Sequence, residues 1–312
     1  MSVAGVGEFG LIDRVTARLS YGPTVLLGPG DDAAVVAAPD ARVVASTDVL
    51  VEGRHFRRDW SGAYDIGRRA AAANLADVVA MGADPTALLV ALCVPAGLSA
   101  GWVEELADGI GAEASGVGAS VVGGDMSASP TLTIAVTALG DLAGRAPVSR
   151  AGARPGDLVA LAGRTGYAAA GFTVLSRGFR TPRLLVEAYR RPEVPYPAGP
   201  LAARLGATAM IDVSDGLLAD LGHVAKASGV AIDVDRDAFD VPPQMRDAAQ
   251  ALGVDPYAWL LAGGDDHALA AAFPPATVLP DGWRAIGRVT EGSGVTVDGA
   301  RFDGPAGWDH FR

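Results

Sequence analysis

Short apolar runs alternate with longer helix-like segments along most of this 312-residue chain, and this alternation constrains the fold more than any other feature. Residues 63–82 are Ala-rich and contain no proline, which predicts a helix. The run at 86–95 is short and apolar, as in a buried strand, and a helix-like segment at 99–115 follows it. Strands that alternate with helices indicate an α/β (α+β) architecture built of layers.

A chain of this length is large enough for two domains. The Gly-, Arg- and Pro-rich stretch at 144–157 is the best candidate for a boundary between them. We therefore predict an N-terminal domain of residues 1–145 and a C-terminal domain of residues 146–312.

Two local predictions concern segments that carry aspartate. The apolar runs 33–38 and 42–47 are joined by Pro39 and Asp40, which suggests a hairpin. A helix is predicted through 215–228, with Ser214 and Asp215 where helix N-caps normally occur.

The charge balance excludes several classes of partner. A formal net charge of −11 argues against binding nucleic acid or docking on an anionic membrane. The longest apolar stretch, residues 86–98, is shorter than a membrane span and contains Pro95. One cysteine, Cys93, permits no intrachain disulfide, and the first residues show no secretory signal pattern, so we expect a cytoplasmic protein.

Five short segments place aspartate beside Gly, Ser or Thr, which is the arrangement that binds hard cations through oxygen. They are GPGDDAAVV (28–36), STDVLVEGRHF (46–56), NLADVVAMGADP (74–85), VVGGD (121–125) and IDVSDGL (211–217). Carboxylates repel phosphate unless a cation lies between them. The segments therefore suggest nucleotide chemistry bridged by Mg²⁺.

The scarcity of lysine removes the common alternatives. Of 25 Lys and Arg residues only Lys226 is a lysine, and it lies on a predicted helix. The P-loop requires a lysine in its glycine-rich loop, and protein-kinase sites require one on a strand. Neither pattern is present in this sequence.

Each candidate residue also has an ordinary structural interpretation. A single loop aspartate is more often a turn former or a helix cap than a ligand. Six of them with neighbouring hydroxyl groups favour a set of Mg²⁺ ligands: Asp32, Asp48, Asp77, Asp125, Asp212 and Asp215, with Ser46, Thr47 and Ser214 beside them. Between Asp31 and Asp32 the chemistry alone does not decide. Gly124 could simply belong to a tight turn, and Arg150 could be an exposed linker residue. His55 and Trp308 could be packing residues without contact to a ligand.

Taken in order, the five segments resemble the thiamine-monophosphate kinase family. That family belongs to a superfamily of ATP-binding proteins with aminoimidazole ribonucleotide synthetase, selenophosphate synthetase and a hydrogenase maturation factor. The resemblance extends over nearly the whole chain and includes GEFGLIDRV (7–15), VSRAGARPGD (148–157), RRPEVPYPAG (190–199), LAGGDDHAL (261–269) and the terminal WDHF.

The resemblance implies ATP-dependent phosphorylation of thiamine monophosphate to thiamine diphosphate in a homodimer. It implies an aminoimidazole ribonucleotide synthetase-like fold, whose N-terminal mixed sheet pairs across the dimer and whose C-terminal α/β domain completes the active site. The implied Mg²⁺ ligands are Asp32, Ser46, Thr47, Asp48, Asp77, Asp125, Asp212 and Asp215. The implied ATP contacts are Gly124, Asp125, Arg150 and Ser214, and the implied substrate contacts are His55, Asp265 and Trp308.

One motif departs from the family pattern. The family usually has GGED where this chain has GGDD, and His267 replaces a common tyrosine. Asp265 keeps the charge but is one methylene shorter than glutamate. No covalent or general-base residue is expected, because a phosphate oxygen of the acceptor is already ionised near neutral pH.

Rival assignments remain distinguishable from the sequence. Selenophosphate synthetase would need a reactive cysteine or selenocysteine before Asp32, and the hydrogenase maturation factor would need a C-terminal tail that carries a cysteine. Neither pattern occurs in this sequence. Aminoimidazole ribonucleotide synthetase is the nearer enzymatic alternative, although STDVLVEGRHF differs from its Gly/Lys-rich loop. A regulatory subunit that binds nucleotide without turnover is a further alternative, which the retained acidic segments disfavour.

Overall fold

The protein folds into two compact units in a computed structural model that describes residues 2–29 and 33–308, without the side chains of residues 8 and 9. The N-terminal unit comprises Met1–Val78 and Ala83–Gly144. The C-terminal unit comprises Val79–Gly82 and Arg145–Arg312. No helix in the described part of the chain is long and apolar enough to cross a membrane.

The N-terminal unit contains a four-stranded mixed sheet and two long helices. Its helices are α1 (Val3–Val6), α2 (Glu8–Thr16), α3 (Ala63–Ala80, whose last two residues fall in the other unit) and α4 (Ala100–Gly116). Its strands are β1 (Val25–Leu27), β2 (Val35–Val36), β3 (Val44–Val51), β4 (Asp84–Val94), β5 (Ser120–Ala128) and β6 (Thr133–Asp141). The sheet order is β3-β6-β4-β5, with β4 and β5 parallel and the other neighbours antiparallel.

The two faces of this sheet differ in burial. Along β6 buried and partly exposed residues alternate strictly, as expected for a strand with one covered face. Leu50 of β3 pairs with Ile134 of β6, and both are buried. On the opposite face Val49 is 42% exposed and Leu89 of β4 is 38% exposed. One face of the sheet is therefore open in the single chain.

Helices α3 and α4 touch through their backbones. A Cβ atom built on Gly67 of α3 would lie 2.2 Å from the carbonyl oxygen of Leu106, and one built on Gly109 of α4 would lie 2.1 Å from that of Tyr64. Only glycine permits such an approach. The reciprocal pair of glycines sets how closely the two helices approach one another.

The C-terminal unit contains a six-stranded sheet with helices between its strands. The strands are β7 (Leu158–Ala162), β8 (Ala209–Val213), β9 (Ala231–Val234), β10 (Ala268–Phe273), β11 (Trp283–Thr290) and β12 (Gly294–Val297). The helices are α5 (Tyr167–Ser176), α6 (Arg183–Arg190), α7 (Ala198–Arg204), α8 (Leu217–Ser228), α9 (Pro243–Leu252) and α10 (Pro256–Ala262), with a 3₁₀ turn at Arg236–Ala238. The order is β12-β9-β11-β7-β10-β8.

Strand pairing brings three loops together at one end of the neighbouring strands β7, β10 and β8. Ala162, the last residue of β7, pairs with Leu269 of β10, and Val213, the last residue of β8, pairs with Ala268. The loops that follow β7 and β8 therefore lie beside the loop that precedes β10. That third loop is the GGDDH segment, residues 263–267.

The predicted fold class is confirmed, but two local predictions are wrong. The segment Val35–Val36 pairs with Val25–Leu27, whereas Val44–Val51 pairs with β6 over eight residue pairs, so no hairpin joins 33–38 to 42–47. The longer pairing with β6 buries Leu50, which a short hairpin would leave uncovered. Helix α8 begins at Leu217 after Gly216, without a side-chain cap from Ser214 or Asp215.

Candidate functional site

In the N-terminal unit, Ser46 and Asp77 meet beneath helix α3. The hydroxyl of Ser46 donates to Oδ2 of Asp77 at 2.6 Å. Strand alternation places Asp48 on the same side of β3 as Ser46, and Asp48 is exposed. The structure thus brings three of the predicted oxygen ligands to the side of the sheet that α3 covers.

A buried oxygen lies one turn before Asp77 on α3. Asn74 is fully buried, and its amide donates to the carbonyl of Ala70 at 2.9 Å. Its Oδ1 atom has no hydrogen-bond partner among the described residues. A buried acceptor of this kind is normally satisfied by an ordered water or an ion.

Thr47 and Asp125 lie on the other face of the sheet. The hydroxyl of Thr47 donates to the carbonyl of Val136 at 3.0 Å and accepts from the hydroxyl of Thr137 at 3.1 Å. Asp125 pairs with Ala91 of β4, and both are exposed. The predicted ligands of this unit therefore divide between two faces, with Ser46, Asp48 and Asp77 on one and Thr47 and Asp125 on the other.

Gly124 allows β5 to approach β4 more closely than any other residue would. A Cβ atom there would lie 1.9 Å from the carbonyl oxygen of Val90. This close approach is the physical reason for glycine beside Asp125. A role for Gly124 in binding ATP stays a prediction.

His55 closes the turn that follows β3. Its Nδ1 atom accepts a hydrogen bond from the backbone N–H of Val51 at 2.9 Å. In the neutral ring the imidazole proton is therefore on Nε2, and a contact of His55 with substrate stays a prediction. The predicted ligand Asp32 and its neighbour Asp31 lie outside the described residues.

In the C-terminal unit, the loop after β8 and the GGDDH segment hold one another. The backbone N–H of Asp265 donates to the carbonyl of Ser214 at 2.8 Å, and that of His267 donates to the carbonyl of Val213 at 3.1 Å. A Cβ atom on Gly264 would lie 2.1 Å from the Ser214 carbonyl oxygen. The two acidic loops are therefore in direct backbone contact.

Trp308 joins this group through the chain's last described segment. Its backbone N–H donates to the carbonyl of Asp215 at 2.9 Å, while its side chain is exposed. The structure thus brings together five predicted site residues within the C-terminal unit: Asp212, Ser214, Asp215, Asp265 and Trp308.

Arg150 lies elsewhere in that unit. Its carbonyl accepts from the hydroxyl of Ser228 at the end of α8, and the carbonyl of the preceding Ser149 accepts from the N–H of Met210. Ser214 follows Met210 by four residues, which is about 13 Å along an extended strand. Arg150 and Ser214 would therefore contact different parts of any nucleotide that binds both.

Three buried side chains near these loops escaped prediction from the sequence. Oδ2 of Asp220 accepts hydrogen bonds from the N–H groups of Asp215 and Gly216. It thereby holds the start of the helix that Ser214 and Asp215 were expected to cap. Oδ1 of Asp266 accepts from the N–H of Ala168 near the start of α5, and Nδ1 of His267 lies 3.1 Å from Oδ2 of Asp212. For Asp220 a signal existed: it lies on the apolar face of α8, among leucines.

Burial changes the acidity of two of these carboxyl groups. Loss of solvent raises the pKa of Asp220 to about 7, and the negative charges of Asp212 and Asp215 contribute to the increase. Burial also raises the pKa of Asp266 to about 7, against the opposing effects of its bond to Ala168 and of Arg164. The acidic loops therefore concentrate negative charge in a poorly solvated region.

The donor set in both units suits a hard cation. Its members offer carboxylate, hydroxyl and amide oxygens, which are the ligands that Mg²⁺ takes together with water and phosphate. In the part of the chain that the structure describes, no three His, Cys, Asp or Glu side chains cluster tightly enough to hold a metal on their own.

Comparison with known proteins agrees with this arrangement of two units. Residues 30–142 match the family model for the N-terminal domain of AIR synthase related protein, and residues 154–299 match that for its C-terminal domain. Fold and acidic loops thus define an AIR synthase related protein. A thiamine-monophosphate kinase of Mycobacterium tuberculosis is 49% identical over 314 residues, covering 98% of this chain and 92% of that protein. The chain belongs to the thiamine-monophosphate kinase family.

Solved structures of the same family have the same fold. A thiamine-monophosphate kinase from Stenotrophomonas maltophilia K279a has a TM-score of 0.79 at 34% identity, covering 95% of this chain and 98% of that one. AaThiL complexed with AMPPCP and TMP has a TM-score of 0.81 at 32% identity, covering 100% and 99%.

Proposed function

We propose that this protein transfers the γ-phosphoryl group of ATP to thiamine monophosphate, giving thiamine diphosphate and ADP. The observation that carries the proposal is full-length kinship with thiamine-monophosphate kinases, at 49% identity to one of them. AMPPCP is an ATP analogue with a methylene bridge, so the AaThiL complex holds the pair of ligands expected of such an enzyme.

The chemistry requires two anions to approach one another. A terminal phosphate oxygen of thiamine monophosphate attacks the γ-phosphorus in line, and the bond to the β-phosphate oxygen of ATP breaks. Mg²⁺, when bound, neutralises the phosphate charges and lowers the barrier electrostatically. Because the attacking oxygen is already ionised, the protein's task is to bind and orient the two phosphates, and no side chain has to remove a proton.

We assign several Mg²⁺ ions to the predicted oxygen ligands, which are described for each unit by itself. The hydrogen bond from Ser46 holds Asp77 in one orientation, and Asp48 lies on the same face of β3. Asp32, Thr47 and Asp125 complete the predicted set in the N-terminal unit, and Asp212 and Asp215 belong to the C-terminal unit. Gly124, Asp125, Arg150 and Ser214 are assigned to ATP, and His55, Asp265 and Trp308 to thiamine monophosphate.

We also propose that the protein is a homodimer that uses the open face of the N-terminal sheet. Val49 and Leu89 form the exposed apolar part of this face, which also carries the polar Thr47 and Asp125. A second copy would cover this apolar surface, as the hydrophobic effect favours. Leu89→Asp should produce monomers in analytical ultracentrifugation, whereas Val278→Asp, at an exposed valine of the other unit, should not. An unchanged mass for Leu89→Asp would contradict this interface.

The reducing cytoplasm is the compartment we propose, because the chain's one cysteine, Cys93, is unpaired.

The activity is tested by incubating purified protein with MgATP and thiamine monophosphate and separating the products. Thiamine diphosphate and ADP should form in equal amounts, and both should be abolished by EDTA. Formation of ADP without thiamine diphosphate would overturn the proposal and would favour another ATP-dependent reaction of this superfamily.

A further inference from the structure

We propose that His267 is a positioning residue that fixes Asp212 as a one-oxygen ligand for Mg²⁺. The inference rests on the proposed function, because it takes Asp212 to be a metal ligand. It concerns a residue at which this chain departs from the usual tyrosine of its family.

The contact between the two side chains has one chemical interpretation. Nδ1 of His267 lies 3.1 Å from Oδ2 of Asp212. As a ligand of Mg²⁺, Asp212 is a carboxylate that can only accept hydrogen bonds, so in the proposed site Nδ1 carries the proton and donates it. The side chains are only 8% and 5% exposed, so water does not compete for this bond. A hydrogen bond to a charged group in such surroundings is stronger than the same bond in water.

The backbone of His267 adopts a strained conformation that brings the ring to this position. Its φ is +51°, in the left-handed region that residues with side chains rarely occupy. Two hydrogen bonds hold this conformation. The N–H of His267 donates to the Val213 carbonyl, and Oδ1 of the preceding Asp266 accepts from the N–H of Ala168 near the start of α5. Strain that is retained in this way is typical of functional sites.

The orientation of Asp212 follows from this contact. With Oδ2 engaged by His267, Asp212 presents Oδ1 to a cation. Asp215 and Asp220 lie near enough for their charges to interact, and the charge of Asp212 contributes to the raised pKa of Asp220. In this concentration of negative charge, an unrestrained Asp212 would turn away from the other carboxylates. The donor on His267 keeps it in place, as partners of metal ligands commonly do.

Two variants separate the donor from the bulk of the ring. His267→Asn keeps an N–H donor near the position of Nδ1 and tolerates positive φ, whereas His267→Leu has a similar volume and no donor. His223→Leu, at an exposed histidine of α8, is the surface control. Each protein is titrated with Mn²⁺ in the presence of AMPPCP, with free Mn²⁺ followed by electron paramagnetic resonance, and its stability is measured by urea unfolding in EDTA.

We expect His267→Leu to weaken Mn²⁺ binding by about 10-fold or more, and His267→Asn to remain within about 3-fold of the original protein. The KM for thiamine monophosphate should change little in either variant. Equal Mn²⁺ affinity in folded His267→Leu, or equal losses in the Asn and Leu variants, would overturn the inference. Asp212→Asn must weaken Mn²⁺ binding too, and if it does not, Asp212 is no ligand and the inference fails.

The proposed function fails on a different result. If the unsubstituted protein bound Mn²⁺ and AMPPCP but formed no thiamine diphosphate, the kinase assignment would fall. The comparison of His267 variants in Mn²⁺ binding would still decide whether His267 positions Asp212.

Discussion

Replacing Asp266 with asparagine should make the protein's stability less sensitive to pH. Asp266 is 2% exposed, and one of its oxygens has no hydrogen-bond partner among the described residues. Its pKa is raised from the ordinary value of 3.8 to about 7, chiefly by burial. Between these two values the folded protein holds a proton on Asp266 that the unfolded chain has released. The contribution of Asp266 to stability is therefore complete below about pH 4 and is lost as the pH rises towards 7.

The size of the effect follows from the two pKa values. One pH unit corresponds to about 1.4 kcal/mol, so ionising the buried carboxyl costs up to about 4 kcal/mol over the whole interval. Between about pH 5 and pH 8 the expected loss is about 3 kcal/mol. An asparagine side chain at this position would keep an oxygen to accept from the N–H of Ala168 and could not ionise. Asp266→Asn should therefore gain about 3 kcal/mol relative to the original protein over this range.

Urea unfolding at several pH values measures this difference directly. Asp265→Asn, at the exposed neighbour, removes the same formal charge and serves as the control. The free energy of unfolding of Asp265→Asn should depend on pH in nearly the same way as that of the original protein. If Asp266→Asn also ran parallel, Asp266 would not have the raised pKa, and the argument from burial would be refuted.

Four other substitutions test the candidate site. Asp77→Asn should lower turnover by about 100-fold or more, because a charged ligand is lost. The protein should stay folded, because Ser46 can still donate to the amide oxygen. Ser46→Ala should raise the Mg²⁺ concentration needed for half-maximal turnover by about 10-fold. Asp265→Glu restores the family residue and should maintain the affinity for thiamine monophosphate, but it should cost about 0.5–1 kcal/mol in urea unfolding because φ is +69° there. Gly124→Ala should cost about 2 kcal/mol or more in thermal unfolding, because its Cβ would overlap the Val90 carbonyl.

Each of these expectations has a contradicting result. An unchanged Mg²⁺ requirement in Ser46→Ala would mean that its hydroxyl does not orient Asp77. Near-normal turnover in Asp77→Asn would remove Asp77 from the metal site. A large loss of affinity in Asp265→Glu would mean that the loop has adapted to the shorter side chain, and an unchanged midpoint in Gly124→Ala would mean that β5 can move away from β4.

Much of the fold could be predicted because its signals are local. The Ala-rich helix at 63–82 and the buried run at 86–95 correspond to α3 and β4 within a few residues. The ordered acidic segments identified the family, and the full-length match to thiamine-monophosphate kinases confirms it. The assignment of individual ligands stays a prediction, because strand alternation puts Thr47 and Asp125 on a different face from Ser46 and Asp77.

What the sequence could not reveal depends on long-range pairing. The supposed hairpin failed because β3 pairs with β6, a strand more than eighty residues further along the chain. The contacts of His267 and Asp266 arise only when the GGDDH segment packs against the ends of β7 and β8. The structure also gives a reason for GGDDH itself: Asp265 and His267 both have positive φ, and Asp and His tolerate that region better than most residues.

The glycine contact between α3 and α4 has a consequence for how this enzyme can vary. Because Gly67 and Gly109 let main chain meet main chain, no side chain at the crossing acts as an adjustable spacer. The spacing of the two helices at this crossing therefore cannot be adjusted by exchanging one side chain for another of different size. A substitution at either glycine would push the two backbones apart, and Asp77 lies on one of the two helices that would have to move.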